Sequence, residues 1–435
     1  MNPAYKFIVK GGKPLHGTVP IYGSKNAASK LMIASLLTAS PCRIENVPHS
    51  GEIEITKELC ERVGSRVEFD SDRGCRIETR EVTTSLVPEL SRKNRIPILA
   101  IGPLLHRKGI AEVPILGGDP IGHRPIDFHL EALNKMGVRL ERREHSYYAE
   151  AERIKGAEIE FPFPSVGATE TVLLTSVLAE GETHLKNAAL EPEVINLVEA
   201  LLAMGARIAV NHAERSMVIS GVSRLGGGTC RVMPDRNEIV SFAIAALATG
   251  GAIFFPDIKR DYIETFLQSI NELGGSLRER DGGIEFFGAP PYRPIVIETS
   301  PHPGFMTDWA SPFCVLLTRA RGESIIHETI YEDRFGYTKD LKQMGADIEI
   351  SDECWGGNRC RFAGRTFNHS ARIKGPNHLK GTKITMTDIR AGMAHIIAAL
   401  AAEGESVILG IEHIDRGYEN IDGRLRELGA DIRRV

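Results

Sequence analysis

Leu201-Leu202-Ala203-Met204-Gly205-Ala206-Arg207-Ile208 decides how this chain is read. Apolar residues at helical spacing run into a glycine, and a β-branched residue follows shortly after. Glycine suits the left-handed position just past a helix C-terminus, and the β-branched residue opens a strand. The pattern recurs at Cys60-Glu61-Arg62-Val63-Gly64-Ser65-Arg66-Val67 and Leu133-Asn134-Lys135-Met136-Gly137-Val138-Arg139-Leu140. It returns at Ile270-Asn271-Glu272-Leu273-Gly274-Gly275-Ser276-Leu277, at Leu341-Lys342-Gln343-Met344-Gly345-Ala346-Asp347-Ile348, and at Leu425-Arg426-Glu427-Leu428-Gly429-Ala430-Asp431-Ile432. A spacing of about 70 residues is too long for a solenoid unit and suits a small βαβα module.

A second element precedes each copy: an Ala/Leu-rich helix, a turn and a strand, as in Ala179-Glu180-Gly181-Glu182-Thr183-His184-Leu185. The helices expected at 30–38, 170–178, 236–249 and 390–402 are apolar on most faces and so belong inside. Each unit therefore reads as helix, strand, helix, strand. The expected fold class is α/β: six βαβα-type units with buried helices and outward-facing sheets, split three and three between two domains. Glycines 226–228 before Pro234 mark the boundary. The first domain is expected at 22–233. The second takes 234–435 together with 1–21, because the strand at 6–10 fits the C-terminal half.

At 435 residues and 42% hydrophobic, the chain can bury two cores. A formal net charge of -4 argues against a nucleic-acid partner. The start lacks the pattern of a secretory signal, and the apolar runs at 31–37 and 395–402 are too short to span a bilayer, so no membrane is expected. Seven scattered cysteines read as reduced thiols of a cytoplasmic protein. Cys354 and Cys360 are the closest pair, but nothing nearby in the sequence completes a metal site. Oligomeric state leaves no signal.

Chemistry concentrates in a few stretches. Leu116-Gly117-Gly118-Asp119-Pro120-Ile121-Gly122-His123-Arg124-Pro125-Ile126-Asp127 has too many glycines and prolines for a helix or central strand. It reads either as a solvated turn or as a loop offering backbone N–H groups, one carboxylate and one guanidinium to an anion. Gly23-Ser24-Lys25-Asn26-Ala27-Ala28 opens a helix with a lysine at its positive end. Arg95, Arg124, Arg334, Arg390 and Arg416 each read singly as a surface ion pair; as a set they suit a substrate with several anionic groups. Asp308, after Pro301-His302-Pro303-Gly304-Phe305-Met306-Thr307, reads as an N-cap or as a general base. In Phe163-Pro164-Ser165-Val166-Gly167-Ala168-Thr169-Glu170, the small polar groups either cap a helix or bind.

Together these motifs resemble the enolpyruvyl transferases, nearly end to end. The resemblance rests on Gly11-Gly12-Lys13-Pro14-Leu15-His16-Gly17, on 23–28, 117–125 and 163–170, and on Pro234-Asp235-Arg236, Thr307-Asp308, Thr387-Asp388-Ile389-Arg390 and Asp415-Arg416-Gly417-Tyr418-Glu419. It is strongest to the branch acting on UDP-N-acetylglucosamine. That resemblance implies transfer of the enolpyruvyl group of phosphoenolpyruvate to the sugar 3-hydroxyl with release of phosphate, the first committed step of peptidoglycan synthesis, without metal or organic cofactor. It also implies the family fold, a two-domain inside-out α/β barrel with three repeated units per domain, with the site in a cleft between domains that closes on the nucleotide sugar. Lys25, Arg124 and Arg416 would hold phosphoenolpyruvate, with Arg390 close behind. Asn26, Arg95, Arg124, Pro125, Ile126, Asp127, Phe128, Ser165, Val166, Gly167 and Ile330 would contact the nucleotide sugar, and Arg334 joins the binding set. Asp308 would deprotonate the hydroxyl. Asp119 stands where most members carry the cysteine that is the proposed general acid and the target of fosfomycin, so the chain is expected to be active and fosfomycin-resistant. The alternatives are another acceptor, such as UMP, and a non-catalytic paralogue that binds nucleotide sugar.

Overall fold

The computed structural model describes residues 5–90, 95–117, 122, 125–280, 282–288, 290–357 and 360–435. Within these the chain divides into two compact units, one of 5–21 with 235–435 and one of 22–117 with 125–234. The described residues form six small sheets, three in each unit. All six repeat glycines, from Gly64 to Gly429, have φ between 85° and 108°. Any side chain there would be strained, which explains why the pattern keeps glycine.

Each repeat carries more strand than its sequence pattern suggested. In the repeat that contains Gly205, Arg207–Asn211 turns back as Ser216–Ser220, which pairs antiparallel with Glu182–Lys186; Glu158–Glu160 then adds a parallel edge. The returning strand buries Met217 and Ile219 but leaves Val218 only half-buried, an alternation that three consecutive apolar residues do not show in sequence.

The strands bury alternate residues, as Phe7–Lys10 shows: Phe7 and Val9 are inaccessible, whereas Lys10 faces solvent. The covered faces lie on apolar helices. In the first unit, helices Arg236–Thr249, Thr307–Leu317 and Ile389–Ala401 pack on one another. Every residue of 236–248 and of 389–400 is buried. Alanines allow the close approach, and each fully buried Leu, Ile or Phe contributes about 1.5–3 kcal/mol. Trp309 and Phe305 meet edge-on at 5.5 Å and extend this core towards Phe266 and Phe313. In the second unit the inner helices are Lys25–Ala34, Ile101–Lys108 and Val166–Ser176.

Long-range pairings close each unit. Phe7–Lys10 lies between Glu405–Leu409 and Asp431–Arg434, and His16–Thr18 pairs with Ala252–Pro256. Thr229–Arg231, just past the glycine cluster, returns to Cys42–Glu45 in the second unit. No helix among the described residues is long and apolar enough to cross a membrane.

Candidate active site

Asp308 is the second residue of its helix, not the cap, so the capping alternative falls; the N-cap position belongs to Met306, which makes no side-chain cap. The Asp308 carboxylate instead accepts from Arg334 Nη2 at 2.5 Å and from Arg390 Nε at 3.0 Å. Arg390 is the second residue of the 389–401 helix, whose N-terminus Asp388 caps by accepting from the backbone N–H of Arg390 and Ala391. Arg390 Nη1 donates to the Tyr418 hydroxyl at 3.0 Å, and that hydroxyl meets Ser241 Oγ at 2.8 Å. The side chains of Arg334 and Arg390 are 5% and 7% exposed against 19% for Asp308, so the carboxylate is the member that solvent reaches.

Burial opposes charge on both arginines, but neighbouring groups outweigh it. Tyr418, Asp308 and Asp235 push the Arg390 guanidinium up, and Asp308, Asp388 and Glu328 do the same for Arg334. Both stay cationic where water cannot help, an arrangement stable only when opposite charge is in place.

Glu328 braces this cluster from behind. One of its oxygens accepts from Ile330 N and Tyr331 N, the other from Thr307 Oγ1. The 330–334 segment is thereby tied to the residue before Asp308. Arg416 follows the helix Glu412–Asp415, half-buried and two residues from Tyr418.

The second unit assembles the other expected residues. Lys25 opens its helix and is buried; Asn26 beside it is half-buried. Gly23, before that helix, presses on the Asn46 carbonyl, where a Cβ would come within 1.8 Å of the oxygen. Arg95 stands at the N-cap position of the short helix Ile96–Ala100, which packs on the Lys25 helix. Pro125 and Ile126 lead into the helix Asp127–Lys135, and Phe128 stacks on Phe161 at 5.8 Å. Ser165 caps 166–176 by accepting from Ala168 N. Thr169 is not the cap: it is fully buried and accepts from Ala189 N.

His129 joins three of these pieces. Its Nδ1 meets Thr171 Oγ1 at 2.8 Å, and its ring lies against the Cα of Gly167. Burial, with the charge of Arg95 adding to it, lowers the His129 pKa to about 3. Asp119 and Arg124 lie outside the described residues; Gly122 is described, with φ 118° and its Cα against Glu332.

Sequence reasoning had not assigned roles to Tyr418, Asp388, Glu328 or His129. Asp388 could have been found as a cap before an Ala-rich helix, and Tyr418 sat in a quoted motif. Glu328 and His129 left no local signal.

The family of EPSP synthase (3-phosphoshikimate 1-carboxyvinyltransferase) matches residues 9–425. The chain belongs to that family. Among EPSP synthase family members, the UDP-N-acetylglucosamine 1-carboxyvinyltransferase of Protochlamydia amoebophila is 46% identical over 433 residues, covering 98% of this chain and 93% of the relative. The protein of that name from Caulobacter vibrioides is 40% identical over 436 residues, covering 99% and 98%. Two solved structures share the fold: the enolpyruvyl transferase NikO from Streptomyces tendae (TM-score 0.86, 22% identity, covering 100% of this chain and 99% of that one) and EPSP synthase from Acinetobacter baumannii (TM-score 0.72, 17% identity, covering 100% of both).

Proposed function

We propose that the chain transfers the enolpyruvyl group of phosphoenolpyruvate to the 3-hydroxyl of UDP-N-acetylglucosamine in the cytoplasm, releasing phosphate. The observation that carries this reading is similarity of 40–46% identity, along essentially the whole length, to proteins named for that activity. The Asp308–Arg390–Tyr418 cluster supports it chemically.

Lys25, Arg124 and Arg416 hold the phosphate and carboxylate of phosphoenolpyruvate, with Arg390 behind them. Asn26, Arg95, residues 124–128, 165–167 and Ile330 receive the nucleotide sugar, and Arg334 serves through Asp308. In addition, the sugar hydroxyl gives its proton to Asp308 as its oxygen bonds to C2, and Asp119 delivers a proton to the methylene carbon. Loss of phosphate from C2, with a proton leaving the new methyl group, restores the double bond. Each Asp308 oxygen has two lone pairs, so gripping by two arginines leaves an acceptor site on each for the hydroxyl. Asp119 acts as acid without thiolate nucleophilicity, so the enzyme resists fosfomycin.

Phosphate release measured with UDP-N-acetylglucosamine, UMP and shikimate-3-phosphate in parallel tests the reading. Turnover with the nucleotide sugar alone is expected. Turnover with UMP alone would reassign the acceptor. No turnover despite nucleotide-sugar binding would make the chain a regulatory paralogue.

A further inference from the structure

Nothing near Cys354 and Cys360 in the sequence completes a metal site, but the fold brings two histidines to them. Asp347–Ser351 and Ser370–Gly375 form an antiparallel hairpin, and residues 352–369 take the place of its turn. The corresponding connection after Arg207–Asn211 is only 212–215. A connection this long, with no helix or strand among its described residues, is uncommon unless it is pinned or functional.

Two cysteines in that loop meet two histidines from the sheet. His327 ends the strand Gly322–His327 and is paired with Ser370, which places it beside His369. Cys354 Sγ lies 3.7 Å from Cys360 Sγ and 3.4 Å from His369 Nε2. The four donor atoms, including one from His327, all lie within 4.8 Å of one another. A tetrahedral zinc with ordinary bond lengths sets sulfur atoms about 3.8 Å apart and sulfur–nitrogen pairs about 3.5 Å apart.

The hydrogen bonds around the histidines decide which nitrogen faces the cysteines. His369 Nδ1 lies 2.7 Å from the Phe367 carbonyl, which can only accept, so Nδ1 carries the proton and Nε2 a bare lone pair. Ser370 Oγ donates its own proton to the Glu353 carbonyl at 2.5 Å and therefore accepts from His327 Nδ1 at 2.9 Å. His327 Nε2 is likewise a bare lone pair. It is fully buried and has no hydrogen-bond partner among the described residues. Outer contacts of this kind orient the imidazoles of zinc sites. Phe362 N donates to Cys360 Sγ at 3.3 Å, as a backbone amide does to a ligating thiolate. Gly356 packs so closely on His327 that a Cβ would come within 2.6 Å of its ring.

We propose that His327, Cys354, Cys360 and His369 form a structural Cys2His2 zinc site that staples this loop to its sheet. Binding displaces one proton from each thiol, and the two thiolates neutralise the divalent cation. The staple reaches the candidate active site through Arg361, which donates to the Ile330 carbonyl and lies 4.0 Å from Glu332. The same segment supplies Arg334 to Asp308.

The test is metal analysis of the full chain purified under reductant without chelator, followed by zinc titration of protein stripped of metal. About one zinc per chain is expected, with cobalt uptake giving the thiolate-to-metal absorption of a tetrahedral site. Cys354→Ser and His369→Gln should each lower zinc at least about tenfold, while Cys230→Ser retains it. Titration of the unaltered chain keeps the proposal testable if the variants fail to fold. No zinc uptake by folded protein, or a Cys354–Cys360 disulfide persisting under reductant, overturns it. None of these readouts depends on turnover, so failure here leaves the proposed reaction standing, and the reverse.

Discussion

Arg390 reaches Asp308 at 3.0 Å from a helix whose N-terminus another carboxylate, Asp388, already caps. The guanidinium is a fork, with Nε to Asp308 and Nη1 to Tyr418. A lysine would keep the charge but not serve both partners in that geometry. Arg390→Lys should therefore lower kcat/KM about 100-fold, roughly 3 kcal/mol of transition-state stabilisation, with the fold intact by circular dichroism. Tyr418→Phe removes one arm only and should cost about tenfold. Wild-type kinetics in Arg390→Lys would remove the cluster from the reaction.

Glu170 lies fully inside the second unit, and its Oε1 has no hydrogen-bond partner among the described residues. Burial raises its pKa to about 7, with Lys30 opposing. A carboxyl raised in the folded state loses its proton later than in the unfolded chain. Stability from this group is therefore intact below about pH 4.5 and falls as pH rises towards 7. The full difference is about 2–4 kcal/mol. Glu170→Gln should stabilise the protein at pH 8 and leave it unchanged at pH 4 in urea denaturation. Equal effects at both pH values would refute the ionisation argument.

Local signals revealed most of the fold. Gly205 and its five counterparts sit where a helix must end in a left-handed residue, and that requirement is written within eight residues. Asp308 was ambiguous because a cap and a first-turn carboxylate look alike in sequence; the partners that separate them, Arg334 and Arg390, are 26 and 82 residues away. The Cys2His2 cluster was hidden for the same reason. Cys354, Cys360 and His369 are close in sequence, but His327 enters only through the strand register that sets it opposite Ser370. The length of the 352–369 connection shows only once the return strand Ser370–Gly375 is placed.

His129 gives a pH dependence of opposite sign. Its pKa is depressed, so the unfolded chain binds a proton first as pH falls below the ordinary value near 6.5. The neutral imidazole wedged between Thr171 and Gly167 should thus lose the protein about 2 kcal/mol by pH 5. His129→Gln should reduce the stability difference between pH 7 and pH 5 by about that amount. Because the ring links the 127–135 helix to Ser165–Gly167, the variant should also raise KM for the nucleotide sugar more than it lowers kcat. An imidazole titrating near pH 6.5 by NMR would contradict this.

Asp119 carries the last prediction, and its chemistry alone supplies the argument. A carboxyl group can deliver a proton to carbon when its surroundings raise its pKa, but as a nucleophile towards an epoxide it is far weaker than a thiolate. Incubation with fosfomycin should leave activity unchanged over time and add no mass to the protein. Asp119→Cys should keep measurable turnover and gain time-dependent inactivation with one adduct per chain. Asp119→Asn cannot donate the proton and should lower kcat at least about 100-fold with little change in KM for the nucleotide sugar. A fosfomycin adduct on unaltered Asp119 would refute the resistance claim, and full activity in Asp119→Asn would move the acid to another residue.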